Sequence, residues 1–154
     1  MDIKEAKIKI ANYCAYQERA PKEVEEKLSG FGLKEQDIPK IIKELVDEGF
    51  LNEDRFARAY VSGKFRNNKW GKHKIRQHLI FKGIDKAKIE TALNGIDADA
   101  YHQMIRHLIM QKQASFDSTD SYIKKQKIAA YLLQKGFESE AIWENLKILG
   151  ESNN

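Results

Sequence analysis

The chain has 154 residues, of which 42% are hydrophobic and 32% charged, and its formal net charge is +4. This composition is globular rather than disordered. No apolar run approaches the roughly 20 residues of a membrane span, and the N-terminal MDIKEAKIKI lacks a signal peptide's apolar stretch. Cys14 is the only cysteine, which excludes an internal disulfide and a thiolate metal cluster.

A cytosolic, helical protein is therefore expected. Its two prolines, Pro21 and Pro39, suit the first turns of helices, and alternating strand patterns with hairpin turns are missing from the sequence. The first helix is predicted over about residues 3–18, carrying Ile3, Ile10, Tyr13 and Cys14. Cys14 reads as a small core residue. A helix pair follows, hinged on Gly32, with Val24 and Leu28 before the glycine and Leu33, Ile38 and Ile42 after it.

The second set begins with a helix over about 53–68. Asn52 is its expected N-cap, and Phe56, Tyr60 and Phe65 form its inner stripe. Its pair hinges on Gly83, between Ile75 and Leu79 and then Ile84, Ile89 and Leu93. The third set starts at about 98–113, capped by Asp97, with Tyr101, Met104, Ile105 and Leu108 inward. The polar stretch Ser115–Ser121 reads as the longest connection. Gly136 then divides Ile128 and Leu132 from Phe137, Ile142 and Leu146, and Trp143 is expected in the core.

These sets form an internal repeat: six columns align at separations of 51 and 53 residues. Apolar steps of four mark one face of a helix, and each glycine suits a left-handed helix stop. The expected fold is all-α, an elongated, curved array of three tandem three-helix units. Its bounds are residues 1–50, 51–96 and 97–150, followed by a disordered tail at 151–154. Units this small are marginal alone, so neighbours are expected to stack, and a monomer is the expected state.

Charge is concentrated in the middle of the chain. Arg55, Arg58, Lys64, Arg66, Lys69, Lys72, Lys74, Arg76 and Lys82 fall in one segment without Asp or Glu. Since 27 basic residues less nine is 18, the rest of the chain sets 18 against 23 acidic residues, a net of −5. Such a concentration attracts a polyanion, nucleic acid or an acidic protein face. Within GKHKIRQHLIFKGI (71–84), Ile75, Leu79 and Phe81 are expected to pack, while the lysines and Arg76 are displayed. Lys69, Lys72 and Arg76 would share a helical face if the helix began near Lys69. Trp70 lies among these charges, where an aromatic ring can stack on a base.

Catalytic constellations are missing: there is no phosphate-cradling glycine loop, nucleophile elbow or HExxH. His73 and His78 stand five apart, as do His102 and His107, which puts each pair on different sides of a helix. Neither a metal nor a cofactor is expected, and the chain reads as a non-enzyme.

GFLNEDRFARAYV (49–61) followed by WGKHKIRQHLIFKGI (70–84) resembles the signature of the RecX regulatory proteins. QERAPKEVEEKL (17–28) and KIAAYLLQKGFESEAI (127–142) resemble that family's first and closing units, so the likeness covers nearly the whole chain. By position, Asn52, Asp54, Arg55, Phe56 and Ala57 match its second-unit acidic–Arg–Phe–Ala stretch. Gly71, Lys74, Ile75, Arg76, Leu79, Lys82 and Gly83 match the following helix. His78 stands where Glu is common, Asn52 replaces Asp, and Ala20 replaces a capping Ser.

The resemblance implies tandem three-helix units and a cytoplasmic bacterial modulator of the RecA recombinase. It implies a protein lying along the RecA–single-stranded-DNA filament and mostly inhibiting strand exchange, ATP hydrolysis and co-protease activity. The single strand would be contacted directly or through the filament. Two other readings stay open from the residues: a helix-turn-helix-like binder of double-stranded DNA, though DKAKIETALNG after Gly83 offers few base-reading side chains, and a helical protein-interaction scaffold. The candidate binding residues are Arg55, Arg58, Lys64, Arg66, Lys69, Trp70, Lys72, Lys74, Arg76 and Lys82.

Overall fold

A computed structural model of the chain describes residues 1–116 and 120–152, and side chains as far as Gly150. Nine α-helices occur among the described residues: α1 Ile3–Tyr16, α2 Pro21–Ser29, α3 Ile38–Asp47, α4 Glu53–Arg66, α5 Lys72–Phe81, α6 Lys86–Asn94, α7 Ala98–Gln113, α8 Ser121–Gln134 and α9 Ser139–Ser152. A short 3₁₀ turn, Glu35–Asp37, leads into α3. The fold is all-α and built of tandem helical units.

Helix starts follow from local chemistry. Asp2, Asn52, Asp97 and Asp120 each accept a hydrogen bond from a first-turn amide, at 2.8–2.9 Å in the shortest case for each. Such caps satisfy amides that the helix leaves unpaired. Pro21 and Pro39 sit in first turns. Ala20 has no side chain to cap α2, and only the returning half of that box remains, Ala20 N–H to Glu23 Oε1 at 3.4 Å.

Helix stops follow the aligned glycines. Gly32, Gly83 and Gly136 have φ of 74°, 80° and 98°. After two of them the chain turns back, with Ile84 N–H donating to the Leu79 carbonyl and Phe137 N–H to that of Leu132. The repeat columns are inward. Val24, Ile75 and Ile128 are buried, as are Leu28, Leu79 and Leu132, while Leu33 and Ile42 are half-buried.

The chain divides into two compact units. One comprises Met1–Tyr60 and His78–Ala92; the other comprises Val61–Gln77 and Leu93–Asn154. Each of α4, α5 and α6 contributes residues to both. The first unit's core gathers Ile10, Cys14, Val24, Leu28, Ile38, Ile41, Leu45 and Leu51. Burial, ahead of the neighbouring charges, raises the Cys14 thiol's pKa, consistent with a packing residue. In the second unit α7, α8 and α9 pack on one another. Tyr101 stacks on Phe65 at 5.7 Å and tilts against Phe137 at 5.4 Å between ring centroids.

Several expectations are corrected. Phe81 is 79% exposed rather than packed. It lies two residues beyond buried Leu79, a rotation of about 200°, so it points away from the face defined by Ile75 and Leu79. Trp143 and Met104 are half-buried, and Ile3 is exposed. The final helix includes 151 and 152; residues 153 and 154 of the expected tail lie outside the described residues, as do 117–119 of the long connection.

Candidate nucleic-acid interface

The basic segment meets the third repeat at a close backbone contact inside the second unit. Gly71 N–H donates to the Lys135 carbonyl at 2.8 Å, and His73 N–H to that of Gly136 at 2.9 Å. A Cβ on Gly71 would fall within 3.0 Å of Gly136 and Phe137 backbone atoms, and one on Gly136 would lie 2.6 Å from the Lys74 nitrogen. Two glycines facing each other let the start of α5 rest directly on the α8–α9 turn. Tyr101 locks the same joint. Its hydroxyl accepts from Lys72 N–H at 3.0 Å and donates to Glu138. Burial first, then the Glu138 bond, raises the phenol's pKa.

This joint gathers lysines around two aromatic rings. Lys64 Nζ lies 4.9 Å and Lys74 Nζ 4.6 Å from the Trp70 ring centroid. Lys112 and Lys135 Nζ lie 4.3 and 5.8 Å from that of Tyr131. Lys135 Nζ also donates to the Asn68 carbonyl at 3.2 Å, which ties the third repeat to the turn holding Trp70. Burial, and then the charges of Lys74, Lys69 and Lys112, lowers the Lys135 pKa. Both rings are half-buried and so keep accessible surface.

Two backbone features oppose stability here. Lys69 holds φ of 57°, a left-handed conformation costly for a side chain with a Cβ. Lys72 and Lys74 sit in the first turn of α5, which carries no acidic residue. Cations at that end oppose the helix dipole, by about 0.3–1 kcal/mol each. The α5 amides of Lys72 and His73 are taken by Tyr101 and Gly136, so these two are not offered to a ligand.

The expected residues separate into two groups. Lys64, Lys69, Trp70, Lys72 and Lys74 assemble at the joint, and Lys72 Nζ stands 4.9 Å from the Tyr101 centroid. Arg66 is exposed at the end of α4. Arg76 Nη1 lies 3.2 Å from His73 Nδ1. Helix α5 begins at Lys72, so Lys72 and Arg76 share a face and Lys69 precedes the helix. Arg55, Arg58 and Lys82 belong to the first unit. Arg55 pairs with Glu18 and donates to the Gly49 carbonyl at 3.0 Å. Lys82 lies 3.5 Å from Glu23 and 5.6 Å from the Tyr60 centroid. The segment lacks carboxylates of its own, but these two residues find them in the first repeat. Lys112, Tyr131 and Lys135 were missed, because nothing near them in sequence signals a basic site.

The model described as "RecX, second three-helix domain" matches residues 52–93, and "RecX, third three-helix domain" matches residues 99–146. The chain belongs to the RecX family. Among relatives carrying the name Regulatory protein RecX, that of Oceanobacillus iheyensis is 31% identical, over 91% of this chain and 57% of that protein. That of Clostridium acetobutylicum is 31% identical over 97% and 71%, and that of Chlorobium phaeobacteroides 30% over 84% and 83%. The chain spans less than two thirds of several such relatives, for example 54% of the Bacillus licheniformis protein. The crystal structure of RecX from Lactobacillus salivarius superposes with a TM-score of 0.90 at 29% identity, covering 96% of each chain. No described helix of this RecX-family chain is long and apolar enough to cross a membrane.

Proposed function

We propose that this RecX-family chain is a regulatory, non-enzymatic protein that binds the RecA–single-stranded-DNA filament and mostly inhibits its recombinase, ATPase and co-protease activities. The observation carrying this reading is the gathering of Lys64, Lys69, Lys74, Lys112 and Lys135 within one unit, with those of them nearest Lys135 acting on it as repelling charges. Retained repulsion of this kind is relieved when a polyanion arrives. The curated relatives' name, Regulatory protein RecX, supports the regulatory part. On this reading the protein works as a cytoplasmic monomer, without cofactor or metal, in DNA repair.

Affinity then comes from many modest charge contacts and falls as salt rises. The test is a titration of this protein into the cognate RecA on single-stranded DNA, reading ATP hydrolysis and strand exchange. Both should fall in a dose-dependent way, and the effect should weaken with added salt. No change in either activity at any stoichiometry refutes the reading.

A further inference from the structure

We propose that Trp70 and Tyr131, each flanked by two lysines, form a two-base stacking site for single-stranded DNA. The inference rests on the filament reading and names the groups that would touch the strand itself. It joins one ring from the predicted basic segment to another from the third repeat, which no feature of the linear sequence pairs.

The geometry favours a strand over an acidic protein face. Carboxylates need cations, but they do not need flat rings between them. Here each ring has two cations beside it: Lys64 and Lys74 at Trp70, Lys112 and Lys135 at Tyr131, with the Lys135 ammonium held on the Asn68 carbonyl beside the Trp70 turn. A single strand carries the partners of both, a flat base for a ring and a charged phosphate for a lysine. Unpaired bases expose the faces that a duplex keeps stacked inside. On binding, a base takes the ring face now occupied by an ammonium, and that ammonium moves to an adjacent phosphate. The lysines therefore act as stand-ins on the rings until the strand arrives. Burial is the first cause of the lowered Lys135 pKa, and the crowding by Lys74, Lys69 and Lys112 that adds to it is what a phosphate would relieve.

The test uses the full chain carrying Trp143→Phe, which leaves Trp70 as the single tryptophan. Short oligodeoxythymidylate should quench Trp70 fluorescence, and duplex of equal length should quench it far less. Tyr131→Ala should weaken the oligonucleotide by about tenfold, with Tyr131→Phe restoring it, because the ring is what stacks. Lys112→Gln and Lys135→Gln, both at half-buried side chains, should each weaken it several-fold without change in helical content, which covers the case in which Tyr131→Ala fails to fold. Equal quenching by duplex, or unchanged affinity in the Tyr131 and lysine variants, overturns the site. The two readings fail differently. If charge reversal at Lys74 and Lys135 abolishes inhibition of RecA while no oligonucleotide binds at all, the anionic partner is a protein face, and this inference falls while the filament reading stands. If oligonucleotide binds as described but RecA activities never change, the filament reading falls and the site remains.

Discussion

At the scale of single residues, the joint between repeats rests on a missing side chain. Gly71 is buried, and a methyl group there would collide with backbone, which has no rotamer to escape into. Gly71→Ala should cost about 3 kcal/mol in denaturant unfolding, toward the upper end for overpacking. Gly63 is its control. It lies inside α4 with open space around a built Cβ, so Gly63→Ala should stabilise by about 0.5–1 kcal/mol through helix propensity. Equal effects at the two glycines would mean that close approach is not what Gly71 supplies. Lys69 offers the opposite trade. Lys69→Gly should raise stability by up to about 1 kcal/mol, because the left-handed backbone is then unstrained. The same change should weaken anion binding. On the proposed function, that combination is what a position held for binding rather than for folding would show.

At the scale of elements, Tyr101 of α7 decides how α5 is seated. Its hydroxyl serves the Lys72 amide and Glu138 at once, so Tyr101→Phe leaves both without that partner and should cost about 1–3 kcal/mol at neutral pH. The raised phenol pKa adds a pH signature. Folded Tyr101 holds its proton more tightly than the unfolded chain, so its contribution is complete below the ordinary tyrosine range near 10 and is lost as pH climbs above it. Stability measured from pH 9 to 11.5 should therefore fall less steeply in Tyr101→Phe than in the parent. Identical slopes would show that Tyr101 does not hold this proton. The elements themselves were legible because steps of four around Gly32, Gly83 and Gly136 write a helix–stop–helix pattern three times, and caps such as Asn52 and Asp97 are local signals. The seating was not. Phe81 follows the α5 stripe in sequence but is turned out by helix geometry, and Lys112, Tyr131 and Lys135 reach the joint only through the packing of the third repeat.

At the scale of the molecule, ten candidate residues from one stretch of sequence divide between two units with different electrostatics. In the first, Arg55 and Lys82 already face Glu18 and Glu23. In the second, Lys135 lies among Lys69, Lys74 and Lys112. Binding measured against salt separates the two, because each phosphate neutralised on a single strand adds about 0.7 to the slope of log affinity against log salt. Lys74→Gln and Lys135→Gln should each lower the slope by about that amount. Arg55→Gln and Lys82→Gln should leave it near the parent value, since a charge already compensated releases little when a phosphate approaches. Burial first, then the neighbouring lysines, lowers the Lys135 pKa, so stability of the parent should rise as pH climbs toward 10.5, and Lys135→Gln should flatten that rise. If all four substitutions lowered the slope alike, the strand would follow the whole basic segment, and the lysine–aromatic joint would be one contact among many rather than the place where the polymer is held.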